Sequence, residues 1–359
     1  MRAALLRELN AELEVRDDFE VKGPGPGEVR VRIAASGVCH SDLSLQNGTL
    51  PHPIPAVPGH EGAGEIIAVG EGVRGLAEGD HVIITWVPPC GDCPSCVEGQ
   101  PYLCGAFLEP SLTDPHFTSD GLAAFGFAGT GTFAEETVVP QEAAIKIDKD
   151  IPFDIAALIG CGVMTGVGAS LNTAQIRPGS NVVVFGCGGV GISVIQGARI
   201  AGAAEIVAVD VMEPKLDLAR QFGATHACLP NDLPAISSEV TKDRGFDYAL
   251  EVVGQPETIR AAWDATRRGG ETIVVGAGAM DAFVSFSAFE LFYSAKTLKA
   301  CWYGSGNVRT DFHKFLRFWD QGKLDLEGMI TRRVDLSEIN EAFTACAKGE
   351  LVRALVEFK

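Results

Sequence analysis

Apolar and polar residues alternate over residues 28–33 (Glu-Val-Arg-Val-Arg-Ile). That period of two predicts a strand with one face in a core and the other in solvent. Residues 64–69 and 81–84 are further β-rich runs with Gly and Pro breaking the chain between them, so the part up to about residue 155 reads as an irregular β domain. From residue 180 the pattern changes. Residues 181–185 (Asn-Val-Val-Val-Phe) and 205–209 (Glu-Ile-Val-Ala-Val) are apolar runs of strand length, separated by a helical stretch that reaches about Ala201. Runs at 248–253 and 271–275 each come after another helix-like segment, which is the rhythm of a parallel, doubly wound α/β sheet. A helix over 311–321 and a last strand over 354–358 return the chain to the first domain. The boundaries read from this pattern are 1–160 with 300–359 for the β domain and 161–299 for the α/β domain.

The turn after residues 181–185 carries chemistry. Gly186, Gly188 and Gly191, with Gly189 and Val190 between them, fit G-x-G-x-x-G directly after an apolar strand and at the opening of a helix. Asp210 ends the next strand, 19 residues after Gly191. The glycines let the backbone approach a pyrophosphate whose charge suits the helix N-terminus, and the Asp210 carboxylate accepts from the adenosine ribose hydroxyls. This context makes the second domain a Rossmann domain. A carboxylate there repels a 2′-phosphate, so NAD is expected over NADP. A glycine turn that only packs helix on strand is the duller alternative. Lys215, early in the next helix, reaches the ribose or stands in solvent.

Cys90, Cys93, Cys96 and Cys104 crowd four thiols into fifteen residues, among turns made by Gly91, Pro94 and Gly99. Packing rarely asks for this, whereas a closed tetrahedral Zn2+ site does. An iron–sulfur cluster would prefer a shorter last gap and often a following proline, and here seven residues intervene before Cys104 and Gly105 comes next. Disulfides need an oxidising compartment, and the N-terminus Met-Arg-Ala-Ala-Leu-Leu-Arg-Glu lacks the apolar core of a signal peptide. Thiols that stay reduced, with no apolar run approaching the roughly 20 residues of a bilayer span, point to the cytoplasm. Lys and Arg number 29 against 47 Asp and Glu, a net charge of −18 that argues against nucleic acid and anionic membrane as partners.

Two glycine-framed turns bring further metal donors: 37–42 (Gly-Val-Cys39-His40-Ser41-Asp42) and 59–64 (Gly-His60-Glu61-Gly-Ala-Gly). Cys161, in Ile-Gly-Cys-Gly, is a third. Two thiolates and one imidazole would leave a fourth tetrahedral position open for water or substrate. Spacing alone does not join three such distant residues.

These turns, the four-cysteine lobe, the Cys161 segment, the glycine loop and the C-terminal strand occur in one order along essentially the whole chain. In this the chain resembles the zinc-dependent alcohol dehydrogenases of the medium-chain dehydrogenase/reductase superfamily. The resemblance implies a GroES-like irregular β-barrel catalytic domain beside a Rossmann domain, with two Zn2+ per chain and NAD as cofactors. It makes Cys39, His60 and Cys161 the catalytic zinc ligands and the four-cysteine lobe the structural site. Ser41 matches the hydroxyl that takes the substrate proton, Asp42 the carboxylate that orients His60, and Arg353 a pyrophosphate ligand. Glu61 lies beside the metal and either ligates it transiently or is structural. The implied reaction is oxidation of an alcohol, held as its alkoxide on zinc, by hydride transfer to NAD.

Two positions depart from well-known members. His40 stands where many carry an arginine, a weaker pyrophosphate clamp, and Ser44 stands where many end the proton relay with a histidine, which leaves water or His40 for the last step. Leu50, Trp86 and Phe127 match positions lining the substrate pocket. They suit primary aromatic, allylic or medium-chain aliphatic alcohols, with the aldehydes as products. A formaldehyde dehydrogenase acting on the glutathione or mycothiol adduct is the second reading. It is disfavoured for glutathione because Leu108 aligns with that branch's substrate-holding arginine. A non-catalytic NAD-binding protein is a remote third, and a zinc-free quinone reductase conflicts with the cysteines present. The long loop at 105–126 occurs in members that form dimers, so a homodimer is expected, with a homotetramer as the other arrangement. Cys187, Cys228, Cys301 and Cys346 read as small apolar fillers.

Overall fold

A computed structural model describes every residue, Met1–Lys359. The chain divides into two compact units, one of Met1–Gly162 with Asn307–Lys359 and one of Val163–Gly306.

The first unit is built on a seven-stranded sheet. Its order is Ala144–Ile147, His81–Ile84, Glu61–Val69, Glu28–Val38, Arg353–Glu357 and Ile330–Val334, with Glu136–Pro140 also pairing Glu28–Val38. The alternation that predicts the first strand is realised: Val29, Val31 and Ile33 are buried while Arg32 is exposed. Beyond Ile33 the strand is covered on both faces, so the alternation fades and residues 34–38 go unread in the sequence. Two registers position the site. Gly37 lies opposite Glu61 and Val38 opposite Ala354, so three strands bring Cys39, His60 and Arg353 to one end of the sheet. A smaller sheet, Phe19–Val21, Phe117–Ser119, Leu122–Gly126 and Ala56–Val57, packs Phe19 edge-on against Phe117.

The second unit is a six-stranded sheet, all parallel, in the order His226–Cys228, Glu205–Val209, Asn181–Phe185, Phe246–Glu251, Thr266–Val274 and Thr297–Ala300. In chain order this is 3-2-1-4-5-6, the Rossmann arrangement, whose switch point lies between Asn181–Phe185 and Phe246–Glu251. The strand read at 248–253 stops at Glu251, because the Glu251 side chain turns back to accept from the Val253 and Gly254 N–H groups. The strand read at 271–275 begins earlier, at Thr266, where Gly269 and Gly270 disguise it as a loop. The helix read at 311–321 starts at Val308, since Asn307 caps it by accepting from the Arg309 N–H.

One reading is corrected. A run of helix extends from Phe153 to Thr173, long and apolar enough to cross a bilayer, with 83% of its apolar window buried inside the protein. It is a core helix. Its Gly, Thr and Ser residues hide its length in the sequence, and two π-helical turns, Ile159–Val163 and Ala169–Thr173, interrupt it.

Candidate active site

Cys39 follows the strand Glu28–Val38 and caps the short helix His40–Gln46. Asp42, fully buried in the first turn of that helix, organises the surroundings. Its Oδ2 accepts from the Cys39 N–H at 3.0 Å, while its Oδ1 accepts from the Gly59 N–H at 2.9 Å and lies 3.2 Å from His60 Nδ1. An Nδ1–H held on a carboxylate leaves the Nε2 lone pair of His60 free to ligate. That Nε2 is buried and has no hydrogen-bond partner. Cys161 arrives on the π-helical turn Ile159–Val163, a distortion that often marks functional positions because it re-aims one side chain. Donor atoms of Cys39, His60, Glu61 and Cys161 lie within 4.8 Å of one another, all in buried residues. Two thiols and an imidazole aimed at one buried point fit a divalent zinc-type ion.

The electrostatics agree. The hydrogen bond from Cys161 holds the Cys39 thiol well below its ordinary value, helped by His60 and Arg353 against the opposing effect of burial. Cys161, the donor in that pair, is pushed well above. Burial would lower the His60 pKa, but Asp42 and Cys39 outweigh it and raise it well above. Burial pushes the Glu61 carboxyl up to about 7 against the pull of Arg353, whose guanidinium is 3.5 Å away and likewise buried. Glu61 Oε1 also accepts from the Gly162 N–H at 3.0 Å. Glycines make room for this pair: a Cβ on Gly37 would stand 2.1 Å from Glu61 Oε2, and one on Gly162 would stand 1.5 Å from an Arg353 nitrogen.

The four-cysteine lobe closes on itself. Cys90 and Cys96 Sγ are 3.9 Å apart, as are Cys93 and Cys104 Sγ, and all four lie within 4.8 Å of one another. Tetrahedral Zn2+ with Zn–S of about 2.3 Å requires sulfurs about 3.8 Å apart, so the lobe fits the ion. N–H groups of Asp92 and Cys93 hold the Cys90 thiol down to about 7, whereas burial pushes Cys96 up to about 12. A third group, Glu28, Asp114 and His116, is filled by the protein itself, for Lys22 Nζ sits 2.7 Å from Asp114 and 3.3 Å from Glu28.

In the second unit the glycine loop joins Asn181–Phe185 to the helix Gly189–Ile200. Gly186 has φ +96°, and a Cβ on Gly191 would lie 1.9 Å from the Gly186 carbonyl oxygen. A Cβ on Gly188 would meet nothing within 4 Å, which leaves that side of the loop open to a pyrophosphate. No side chain caps the helix, so its first N–H groups remain available. Asp210 already holds the loop, accepting from Cys187 N–H at 2.8 Å and Met212 N–H at 3.0 Å, each oxygen keeping a lone pair for a ribose hydroxyl. Lys215 stands half-buried in the helix Glu213–Gln221. Sequence reasoning missed Glu251, whose Oε1 also accepts from Thr258 Oγ1 at 2.7 Å and which fixes the turn beside Gly186. An acidic residue at the end of the fourth strand, with a glycine close behind it, was the available signal.

Around His60 the walls are aromatic. Trp86 and Phe127 meet its ring edge-on at 6.4 and 5.3 Å, and Leu50 packs on the cluster that contains Phe127. His52, unassigned from sequence, stacks edge-on with Phe127 at 5.5 Å and belongs to the same wall. Ser41 Oγ is 3.7 Å from Cys39 Sγ. His40 is exposed, with Nδ1 3.5 Å from Cys346 Sγ, so Cys346 is a neighbour of this site as well as a filler.

Known proteins share this arrangement of domains. Residues 25–149 match the family described as Alcohol dehydrogenase GroES-like domain, and residues 189–321 match Zinc-binding dehydrogenase. The chain is 37% identical to S-(hydroxymethyl)glutathione dehydrogenase of Paracoccus denitrificans and 37% identical to alcohol dehydrogenase class-3 of Cereibacter sphaeroides, in each case over 99% of both proteins. Among solved structures it superposes on benzyl alcohol dehydrogenase of Acinetobacter calcoaceticus with TM-score 0.92 at 32% identity, covering 100% of this chain and 99% of the other. An alcohol dehydrogenase zinc-binding domain protein of Burkholderia ambifaria gives TM-score 0.94 at 33% identity, covering 100% and 98%.

Proposed function

The chain belongs to the zinc-dependent alcohol dehydrogenases of the medium-chain dehydrogenase/reductase superfamily, and from that premise we propose that it interconverts primary alcohols and aldehydes with aromatic, allylic or medium-chain aliphatic groups. NAD is the hydride acceptor. The observation that carries this reading is the buried Cys39, His60 and Cys161 set with its unpartnered His60 Nε2, faced by Trp86 and Phe127.

Cys39, His60 and Cys161 hold the catalytic Zn2+, and Cys90, Cys93, Cys96 and Cys104 hold the structural one. Bound zinc supplies Lewis acidity, of the kind that lowers the pKa of a bound water from about 16 to about 7. Asp42 fixes the His60 tautomer and raises the basicity of its Nε2. Ser41 Oγ accepts the substrate hydroxyl proton and passes its own to water or His40, since Ser44 offers no imidazole. Trp86, Phe127 and Leu50 exclude water and orient the carbinol carbon. The 186–191 backbone and Asp210 hold the dinucleotide, with Lys215 at the ribose. Glu61, held by Gly162 and Arg353, sets the field behind the ligands.

NADH formation, with zinc counted on the same sample, tests this against benzyl, cinnamyl, geranyl, hexyl and ethyl alcohols. We expect turnover of the aromatic and allylic members with two zincs per chain, and absence of turnover with all of them would refute the substrate assignment. NAD should be preferred over NADP, and Asp210→Ser should raise kcat/KM for NADP by roughly 10-fold or more by removing the charge that faces a 2′-phosphate. The relatives named S-(hydroxymethyl)glutathione dehydrogenase support the glutathione adduct as the second reading.

We also propose a cytoplasmic homodimer. Both zinc sites need reduced thiols, and none of the ten cysteines is in a disulfide. Thr297–Ala300 is an edge strand, and Met280, Phe283, Phe289 and Phe292 nearby are 70–82% exposed, a patch that suits a second copy. Phe289→Ser with Phe292→Ser should convert the dimer to a monomer in sedimentation or light-scattering measurements. An unchanged mass would move the interface elsewhere.

A further inference from the structure

Acids outnumber Lys and Arg 47 to 29 in this chain, so most cations have carboxylates to pair with. One face of the first unit departs from that rule. The helix Val308–Asp320 buries Val308, Phe312, Phe315 and Leu316, which fixes its phase and leaves Arg309, His313 and Arg317 exposed, four residues apart along one stripe. The same helix lies against the strand Ala144–Ile147. There a surface groove of about 390 Å3 opens, with Arg74, Gln141, Glu142, Lys146, Arg309 and His313 in its lining.

Arg74 and Arg309 are exposed, and neither is in an ion pair. Arg309 Nη2 donates to the Pro89 carbonyl at 2.7 Å, which steadies the guanidinium and leaves its other N–H groups unused. Gln141 Oε1 accepts from the Arg74 N–H at 2.9 Å, so the Gln141 amide keeps two N–H donors at the same edge. Two carboxylates oppose these groups: Glu142 is part of the lining, and Asp80 lies 2.8 Å from Lys146. With Lys146 answered by Asp80, the two guanidiniums still outweigh Glu142 and leave the groove net positive. An oxyanion that takes both forks relieves their mutual repulsion and gains charge-assisted, bidentate hydrogen bonds.

We infer that this groove binds a small multivalent oxyanion, a metabolite carrying phosphate or several carboxylates, on Arg74 and Arg309. Its volume falls at the lower end of small-molecule sites, roughly 300–1,000 Å3, so the ligand is metabolite-sized rather than a protein segment or a nucleic acid. The groove shares no residue with the zinc cluster, the aromatic wall or the glycine loop, and the inference goes beyond the alcohol dehydrogenase reading without resting on it. Arg309 also ties the groove to the four-cysteine lobe. Pro89 directly precedes Cys90, and a Cβ on Gly91 would lie 3.9 Å from Arg309 Nη1. An anion on Arg309 therefore bears on the segment that presents Cys90.

The test titrates the full-length, zinc-loaded protein by calorimetry with inorganic pyrophosphate and, separately, with tricarballylate. NADH is present to occupy the glycine loop, and zinc is counted before and after. At about 20 mM salt we expect one site with a Kd of about 0.1 mM for at least one of the two anions, and the tighter one identifies phosphate or carboxylate as the natural group. Arg74→Ala should weaken that binding roughly 10-fold or more, and about 0.5 M salt should weaken it similarly by screening. Glu142→Gln should tighten it about 3-fold by removing the opposing charge. The bound anion should raise Tm in the wild type and not in Arg74→Ala, whose Tm without anion should match the wild type and so report intact folding. No binding of either anion below about 5 mM, or binding that Arg74→Ala leaves unchanged, would overturn the proposal. The heat of anion binding does not pass through turnover, so failure of the alcohol dehydrogenase reading and failure of this one are read separately.

Discussion

Cys161→Ala will lower NADH formation by about a thousandfold or more, and zinc per chain will fall from two to one. The magnitude comes from the work of the ligand set. Without metal acidification a hydroxyl keeps a pKa near 16 instead of about 7, a handicap of roughly 12 kcal/mol at about 1.36 kcal/mol per unit, of which a thousandfold loss, about 4 kcal/mol, is the least to be expected. Cys161 has one tie that a smaller side chain breaks outright, its hydrogen bond to Cys39. The alanine variant should still fold, because the four-cysteine lobe lies apart from this cluster and Glu61 takes its Gly162 N–H from the backbone. Full activity with two zincs per chain retained would remove Cys161 from the ligand set.

Gly191→Ala should weaken NADH binding by roughly 100-fold with both zincs retained. The new Cβ would lie 1.9 Å from the Gly186 carbonyl oxygen and 2.8 Å from its carbon, both backbone atoms, so the loop itself has to deform. Overpacking of this kind costs about 1–3 kcal/mol, and at about 1.4 kcal/mol per decade the upper end gives the hundredfold loss. The loss should appear as a raised Kd for NADH measured by fluorescence titration. Gly188→Ala is the control that separates two roles of glycine. Its Cβ meets no protein atom within 4 Å, so any effect there comes from the ligand side of the loop. Unchanged NADH affinity in Gly191→Ala would mean that the loop does not clasp the cofactor.

The parts of this protein that are readable from sequence are those whose chemistry is local. Four cysteines on one loop and a glycine turn between strand and helix each carry their own spacing, and the structure builds both as compact local units. Strands buried on one face announce themselves by alternation, as at Val29, Val31 and Ile33. What stays hidden is non-local. Cys39, His60 and Cys161 meet only because strand registers set Gly37 against Glu61 and because a π-helical turn presents Cys161, and neither register nor π-turn has a sequence signature. Resemblance to a family supplies that link where residue spacing does not. The Glu61 and Arg353 pair, nearly three hundred positions apart, depends on Ala354 lying opposite Val38. The long core helix escapes notice because its small polar residues look like a loop.

Asp42 has a consequence for the life of the protein outside catalysis. Its two oxygens hold the Cys39 N–H that starts a helix, the Gly59 N–H of a distant turn and the imidazole of His60. Whatever secures His60 therefore also secures the helix and the turn, and whatever loosens it releases all three together. Metal occupancy and local order become one linked equilibrium, in which bound ion stabilises the closed segment by mass action. Removal of the metal should therefore loosen the helix start, the Gly59 turn and the His60 ring together rather than one at a time.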